Sequence, residues 1–398
     1  MKYLMIIGDG MADRKILQLG RKTPLQVADT PYMDQLAKEG ECGMVKTLPP
    51  ELPRGSDIAI MSLLGYDSRR FYTGRGPLEA SALGIKLRRG EIAFRCNLVT
   101  VRDGRLIDYS AGHITTKYAR ILIETLQEKL GKRRFSFYPG LGYRHIMVAK
   151  KTSGIVAEDL RTTPPHDIIG APVEENLPKG KNSEVLREIM EASYKILANH
   201  PINIRSERKK RNAANMVWLW GQGERPQMPS FYEKYGKHGA IISAVDIVKG
   251  IGEVIGMEVV NVKGATGFLD TNYAGKVKAV LHALKEKDFV LIHVEAPDEA
   301  SHLGDVDLKV KAIELFDRKI IGRIMRYIRK MRDEVKIFVG CDHETPIVMR
   351  THSDEAVPFL IWGGVRDGCN YYNEVVISSS SLYFEQGYKL MEYFLKEK

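Results

Sequence analysis

The chain has few cysteines and none in pairs. Its four, Cys42, Cys96, Cys341 and Cys369, are scattered and form no Cys-x-x-Cys motif. That argues for a reducing compartment and against a thiolate zinc site. No apolar run approaches the length of about 18 residues that a membrane-spanning helix needs. The first apolar run stops at Gly8-Asp9-Gly10, too short for a signal peptide. A soluble, cytoplasmic protein is therefore expected. The sequence also lacks a Gly-x-x-x-x-Gly-Lys-Ser/Thr loop, and with it a common cradle for nucleotide phosphates. Internal repeats and low-complexity segments are missing as well.

What is present fits a globular protein of two domains: 398 residues, 44% hydrophobic and 28% charged. The formal net charge of +10 suits anionic ligands and also nonspecific nucleic-acid contact. Residues 1–70 and 236–398 alternate strand and helix signals, which predicts an α/β core with a doubly wound, mostly parallel sheet. Helices are expected over Pro31–Glu39, Ser56–Leu64, Ile241–Ile255, Gly275–Lys285 and Leu308–Arg332, with strands near Cys42–Thr47, Glu258–Val262 and Val357–Trp362. The stretch 71–235 differs. Strand signals over Ile92–Val101 and His145–Ala149, helices near Lys117–Leu130 and Ser183–Asn199, and Pro- and Gly-rich loops predict an inserted α+β cap domain.

The chemistry gathers at strand ends. Asp9, Asp298 and Asp342 lie at or just beyond apolar runs beginning at Tyr3, Phe289 and Ile337, and ligands of open α/β sheets collect at the carboxyl ends of strands. Asp298 and His302 stand four residues apart just after Pro297, so a helix there presents both on one face. Mixed carboxylate and imidazole ligation suits Mn²⁺, Zn²⁺ or Fe²⁺. Asp342-His343 offers two adjacent ligands, and His352 precedes the next strand. Ser56, in Gly55-Ser56-Asp57 before an apolar run, reads as a helix N-cap and also as a nucleophile. Free N–H groups of a helix start favour a phosphate there, and a nearby dication activates the hydroxyl.

Taken together these segments resemble the archaeal-type cofactor-independent phosphoglycerate mutases of the alkaline phosphatase superfamily. The likeness runs over nearly the whole chain. It rests on Gly8-Asp9-Gly10 with Asp13, Gly55-Ser56-Asp57, Gly65-Tyr66-Asp67 and Gly74-Arg75-Gly76-Pro77-Leu78-Glu79-Ala80. Further on it rests on Ala93-Phe94-Arg95-Cys96-Asn97, Ala296-Pro297-Asp298 through His302, Asp342-His343, and His352 with Val357-Pro358. The resemblance implies an alkaline-phosphatase-like core and interconversion of 3-phosphoglycerate and 2-phosphoglycerate through a phosphoserine at Ser56. It implies two divalent ions, Mn²⁺ first, with Zn²⁺, Co²⁺ or Mg²⁺ as other choices. Asp298, His302 and His352 would hold one, and Asp9, Asp342, His343 and the Ser56 hydroxyl the other.

The inserted domain is then expected to grip a small phosphorylated hydroxy acid and exclude water. Arg75, Arg95 with Asn97, Arg144 with His145, and Arg211 are the candidates, since a guanidinium fork binds carboxylate and phosphate bidentately. Gly74 and Gly76 beside Arg75 would allow close approach to an anion. Asp108 or His113 would move the proton on the reorienting hydroxyl. The segment Asp108-Tyr109-Ser110-Ala111-Gly112-His113 replaces an arginine-rich stretch of many relatives. This keeps open a related phosphotransferase or phosphatase, including a proposed homoserine kinase branch. The basic run from Arg205 to Arg211 contains no aromatic residue and includes Glu207, so it reads as a solvated loop or substrate-facing edge. Neither a nucleic-acid nor a membrane partner is expected, and the oligomeric state is not readable.

Overall fold

The computed structural model describes residues 1–131, 134–331 and 334–396. Arg332, the expected end of one helix, and residues 397 and 398 of the expected core segment lie outside them. The chain divides into two compact units, one of Met1–Tyr72 with Met228–Lys398, the other of Thr73–Gln227.

The first unit is built on an eight-stranded sheet. Its order is Glu258–Val259, Gly239–Ile242, Phe289–Val294, Lys2–Gly8, Val335–Gly340, Val357–Trp362, Glu41–Val45 and Tyr383–Phe384. Pairing is parallel except where Val357–Trp362 meets its two neighbours. The three central strands are buried almost throughout, as the unbroken apolar runs require of strands covered on both faces. Their register sets Gly8 beside Val294 and Ile7 beside Gly340. The loops that carry Asp9, Glu295 and Asp342 therefore leave the sheet side by side.

Several element limits differ from the sequence reading. Ile241 and Ile242 close a strand, and the helix follows only at Asp246–Val254. The strand expected to reach Val262 is limited to Glu258–Val259. The helix expected from Leu308 is interrupted: Val306–Phe316 and Gly322–Ile328 flank a π-helical turn at Asp317–Ile321. The Asp317 carboxylate explains the irregularity. It accepts the N–H groups of Tyr32 at 3.3 Å and Met33 at 2.7 Å, capping a helix whose own N-cap, Thr30, makes no side-chain cap bond. The basic run is helical up to Arg208, within Pro201–Arg208, rather than a loop throughout.

The second unit contains a sheet in which Ile92–Arg102 pairs antiparallel with Arg144–Ala149 and with Met216–Gly223. Helices Thr116–Lys129 and Glu184–Ala198 cover its apolar face, and Trp218, Leu122 and Met190 are fully enclosed there.

In the first unit, a buried lysine ties two site loops together. The Lys309 ammonium donates to Asp13 Oδ2 at 2.9 Å, to the Thr345 carbonyl at 2.9 Å and to the Ala12 carbonyl at 3.2 Å. Asp13 Oδ2 also accepts the Ile347 N–H at 3.1 Å. Breaking a buried pair strands the remaining charge. Lys309→Met should cost about 3–5 kcal/mol in equilibrium denaturant unfolding, and adding Asp13→Asn should recover part of it; an unchanged midpoint would show that the pair carries no such weight.

Candidate metal centre

Asp9 follows the first strand directly, and Gly10 shows why the loop turns where it does. A Cβ on Gly10 would lie 2.4 Å from Asp298 Oδ1 and 2.5 Å from Thr345 Oγ1, and its φ of 55° is left-handed. Gly10 N–H donates to Asp342 Oδ1 at 3.1 Å. Only a glycine lets this backbone pass between two acidic loops.

Asp298 is in the first turn of the helix Ala296–Leu303, with Pro297 ahead of it and His302 in the last turn. His302 Nε2 lies 3.0 Å from Asp298 Oδ2 and 3.2 Å from His352 Nε2, and His352 Nε2 lies 3.6 Å from Asp298 Oδ1. On the other side His343 Nε2 is 3.6 Å from Asp9 Oδ1, 3.4 Å from Asp342 Oδ2 and 3.1 Å from Ser56 Oγ. Two compact donor sets emerge, Asp298 with His343 and His352, and Asp9 with Asp342 and His343. His343 is common to both, and His302 adjoins the first.

Each imidazole is anchored through its other nitrogen. His302 Nδ1 meets the Arg350 carbonyl at 2.9 Å, His352 Nδ1 the Arg54 carbonyl at 3.2 Å, and His343 Nδ1 the Thr345 hydroxyl at 3.1 Å. The Thr345 hydroxyl in turn donates to Asp298 Oδ1 at 2.7 Å. Such partners hold a proton on Nδ1 and turn Nε2 towards the cluster, so that loss of any second proton opens its lone pair to a metal, the arrangement that metal-binding histidines require.

The unsatisfied atoms point the same way. Asp9 Oδ1 and Asp342 Oδ2 are buried without a hydrogen-bond partner, which is rare unless an ion or water completes them. Burial and the neighbouring Asp342 and Asp298 carboxylates drive the Asp9 carboxyl well above its usual range. Burial opposes ionisation at Asp298 too, but hydrogen bonds from His302 and His352 hold that carboxyl well down. At His302 burial is outweighed by Asp298, which pushes the imidazole up to about 9. Burial dominates at His343 and lowers it to about 4. This charge pattern and donor set fit two divalent cations.

Ser56 is not the N-cap that its position before an apolar run predicts. Gly55 takes that place, and Ser56 is the first residue of the helix Ser56–Leu63, with its hydroxyl turned to His343.

All seven expected metal-site residues thus converge in the first unit. Sequence reasoning passed over several that support them: His293, Glu295, Lys276, Thr345 and Lys309. His293 sits inside an apolar run, where period and hydropathy hide it; a lone histidine in a strand buried on both faces was the available signal.

In the second unit, Arg95 is buried with its guanidinium 4.7 Å from the Trp220 ring centre, and Glu79 Oε1 takes both Arg95 at 3.0 Å and Arg75 at 3.1 Å. Asn97 Oδ1 accepts the Trp220 indole N–H at 3.2 Å, and Arg144 pairs with Asn97 across the sheet. His145 is buried, accepting Gly140 N–H at Nδ1. Arg211 is not gathered with Arg75 and Arg95. It lines a separate cavity with Thr100, Arg102 and Tyr194. The glycines around Arg75 also serve packing: a Cβ on Gly74 would meet the Gln222 carbonyl at 2.1 Å, and one on Gly76 the Ala93 carbonyl at 2.5 Å. The Asp108 carboxylate is occupied by the Ser110 N–H and hydroxyl, the Gly112 N–H and the Asn212 amide, whereas His113 is exposed.

Among the described residues no helix is long and apolar enough to cross a membrane. A family model described as 2,3-bisphosphoglycerate-independent phosphoglycerate mutase matches residues 37–203. The 2,3-bisphosphoglycerate-independent phosphoglycerate mutase of Methanosarcina barkeri is 50% identical over 362 residues, covering 91% of this chain and 90% of its own. A solved Pyrococcus horikoshii protein superposes with a TM-score of 0.84 at 30% identity, covering 100% of this chain and 98% of the other. The cofactor-independent phosphoglycerate mutase of Thermoplasma acidophilum does so with a TM-score of 0.66 at 28% identity, with 99% of each chain covered.

The second proton held at His302 must leave before a cation can bind there. Mn²⁺ affinity of chelator-stripped protein should therefore rise with pH from about 6 towards 9, where His302 titrates. Calorimetry in buffers of different ionisation enthalpy should show protons released at pH 7; release of none would contradict the charge pattern.

Proposed function

The chain belongs to the 2,3-bisphosphoglycerate-independent phosphoglycerate mutase family, and on that premise we propose that it interconverts 3-phosphoglycerate and 2-phosphoglycerate by phosphoryl transfer through Ser56. The observation that carries this reading is the Ser56 hydroxyl 3.1 Å from His343 Nε2, within a cluster able to hold two divalent ions. Asp298, His302 and His352 would hold one ion, Asp9, Asp342, His343 and Ser56 the other, with Mn²⁺ the first choice for mixed oxygen and nitrogen ligands. When bound, such ions neutralise charge on the entering and leaving oxygens and lower the pKa of a coordinated hydroxyl.

The protein's own groups account for the remaining steps. Ser56 Oγ gives up its proton and forms the new bond to phosphorus as the substrate's phosphate ester bond breaks, and the departing oxygen takes up a proton, giving phosphoserine and glycerate. His343, neutral at pH 7, keeps the Nε2 lone pair available for the ion it would share with Ser56. Glycerate then turns, and its other hydroxyl takes the phosphoryl group back, restoring Ser56. The start of the Ser56–Leu63 helix favours the negative charge that builds there.

Arg75, Arg95, Asn97, Arg144 and His145 are proposed to hold the substrate's acidic group. Of the two proton-transfer candidates, His113 is the less encumbered, because four donors already occupy Asp108.

Chelator-stripped protein reloaded with Mn²⁺ should form 2-phosphoglycerate from 3-phosphoglycerate in an enolase-coupled assay. Ser56→Ala should lower kcat by at least about 1,000-fold. Inorganic phosphate in place of 2-phosphoglycerate would mean a phosphatase, and no turnover of phosphoglycerate with both ions bound would sink the mutase reading. Within the second unit, Arg75→Ala should raise KM about tenfold or more, with Arg211→Ala within about twofold of the parent. The reverse order would show that the anion is gripped at the Arg211 cavity.

A further inference from the structure

Beneath the two carboxylates of the Ser56 side lies a buried chain of charged groups that the proposed chemistry does not use. Lys276, His293 and Glu295 are all enclosed, at 0%, 0% and 1% exposure. Glu295 is fixed by three donors: Ser243 Oγ at 2.9 Å and Ala244 N–H at 2.7 Å on Oε1, and the Lys276 ammonium at 2.6 Å on Oε2. Lys276 also donates to the His293 carbonyl at 3.0 Å. The His293 ring stands between Glu295 and the metal-site acids. Nδ1 is 3.5 Å from Glu295 Oε1, and Nε2 is 3.5 Å from Asp9 Oδ2 and 3.7 Å from Asp342 Oδ2.

This placement decides which carboxylate oxygens face inward. The imidazole edge faces Asp9 Oδ2, while Asp9 Oδ1, unpartnered, lies on the side of His343. Asp342 Oδ1 accepts the Gly10 and His343 N–H groups, which leaves Oδ2 to face both histidines. A polar ring in the middle of a strand buried on both faces is costly unless its environment uses it. Groups that orient metal ligands from behind commonly change affinity 10- to 100-fold when removed.

We propose that His293, whose ring stands between Glu295 and the two acids with no hydrogen bond of its own, is a positioning residue that aims Asp9 and Asp342 at one of the two divalent ions. This rests on the metal-centre reading above and on nothing about the substrate.

The test is Mn²⁺ titration of chelator-stripped protein by calorimetry, resolving two binding events, with thermal unfolding measured alongside. His293→Leu should weaken one event by about 10- to 100-fold and leave the other within about threefold. Glu295→Gln should weaken the same event less, and His293→Asn, which keeps a donor towards the acids, should recover part of the loss. Two events equal to the parent's would overturn the proposal. So would equal weakening of both events together with a lower Tm, the mark of a merely structural role. If His293→Leu does not fold, Glu295→Gln and Ser243→Ala carry the same expectation. A parent protein that binds two ions but does not turn over phosphoglycerate would refute the mutase reading and leave this proposal standing.

Discussion

Asp9, Asp298 and Asp342 bring three carboxylates into a volume from which water is nearly excluded, at 4%, 8% and 0% exposure. Two like charges about 4 Å apart repel by about 4 kcal/mol at an effective dielectric near 20. The fold meets this cost unevenly. His302 and His352 attend Asp298, and His343 and His293 attend Asp342, so both carboxyls are held low against the pull of burial. Asp9 is left with the repulsion, and its carboxyl rises. The electrostatic deficit is therefore concentrated on one acid, beside the Ser56 hydroxyl and His343. A dication answers that deficit directly, which explains why the cluster can be both buried and incompletely paired.

Holding such a cluster requires stiff surroundings, and the three central strands provide them. Parallel pairing delivers three acidic loops at one edge of the sheet, but it does not fix their paths. Lys309, Thr345 and Gly10 do that. Lys309 joins the Ala12–Asp13 loop to the Thr345–Ile347 loop, Thr345 joins His343 to Asp298, and Gly10 donates to Asp342. Three of these six bonds join residues about 300 positions apart. Each polar group is buried with its partner, so the loss of one would be felt in stability and in ligand aim together.

That long span also explains what the sequence could and could not reveal. Asp9, Asp298 and Asp342 were legible because an apolar run ending in an acid has few other uses in a parallel sheet. His302 followed from helical spacing, and His343 and His352 from their company. His293 was hidden by belonging to the apolar run itself, and Lys276 and Lys309 by resembling the polar faces of ordinary helices. The π turn at Asp317 was illegible for a related reason: its cause is the start of another helix, at Tyr32 and Met33, far away in the chain. Around Arg75 the motif was visible but the packing role of its glycines was not, since the backbone carbonyls they pack against belong to strands whose pairing the sequence does not state.

The second unit adds a constraint on what can be bound. Arg75 and Arg95 share one acid, Glu79, so this trio carries a net charge of one positive unit instead of two. Burial lowers the Arg95 guanidinium to about 10, still charged at neutral pH. The Trp220 face and Glu79 fix its plane, while Arg75, paired to the same acid, is about a third exposed. Arg144 stands near enough to Arg95 to lower it further, so this part of the sheet offers more cationic than acidic groups, as an anion requires. Binding energy from groups that do not touch the reacting phosphate is what would favour a substrate that must stay and reorient over one that only needs to be cut.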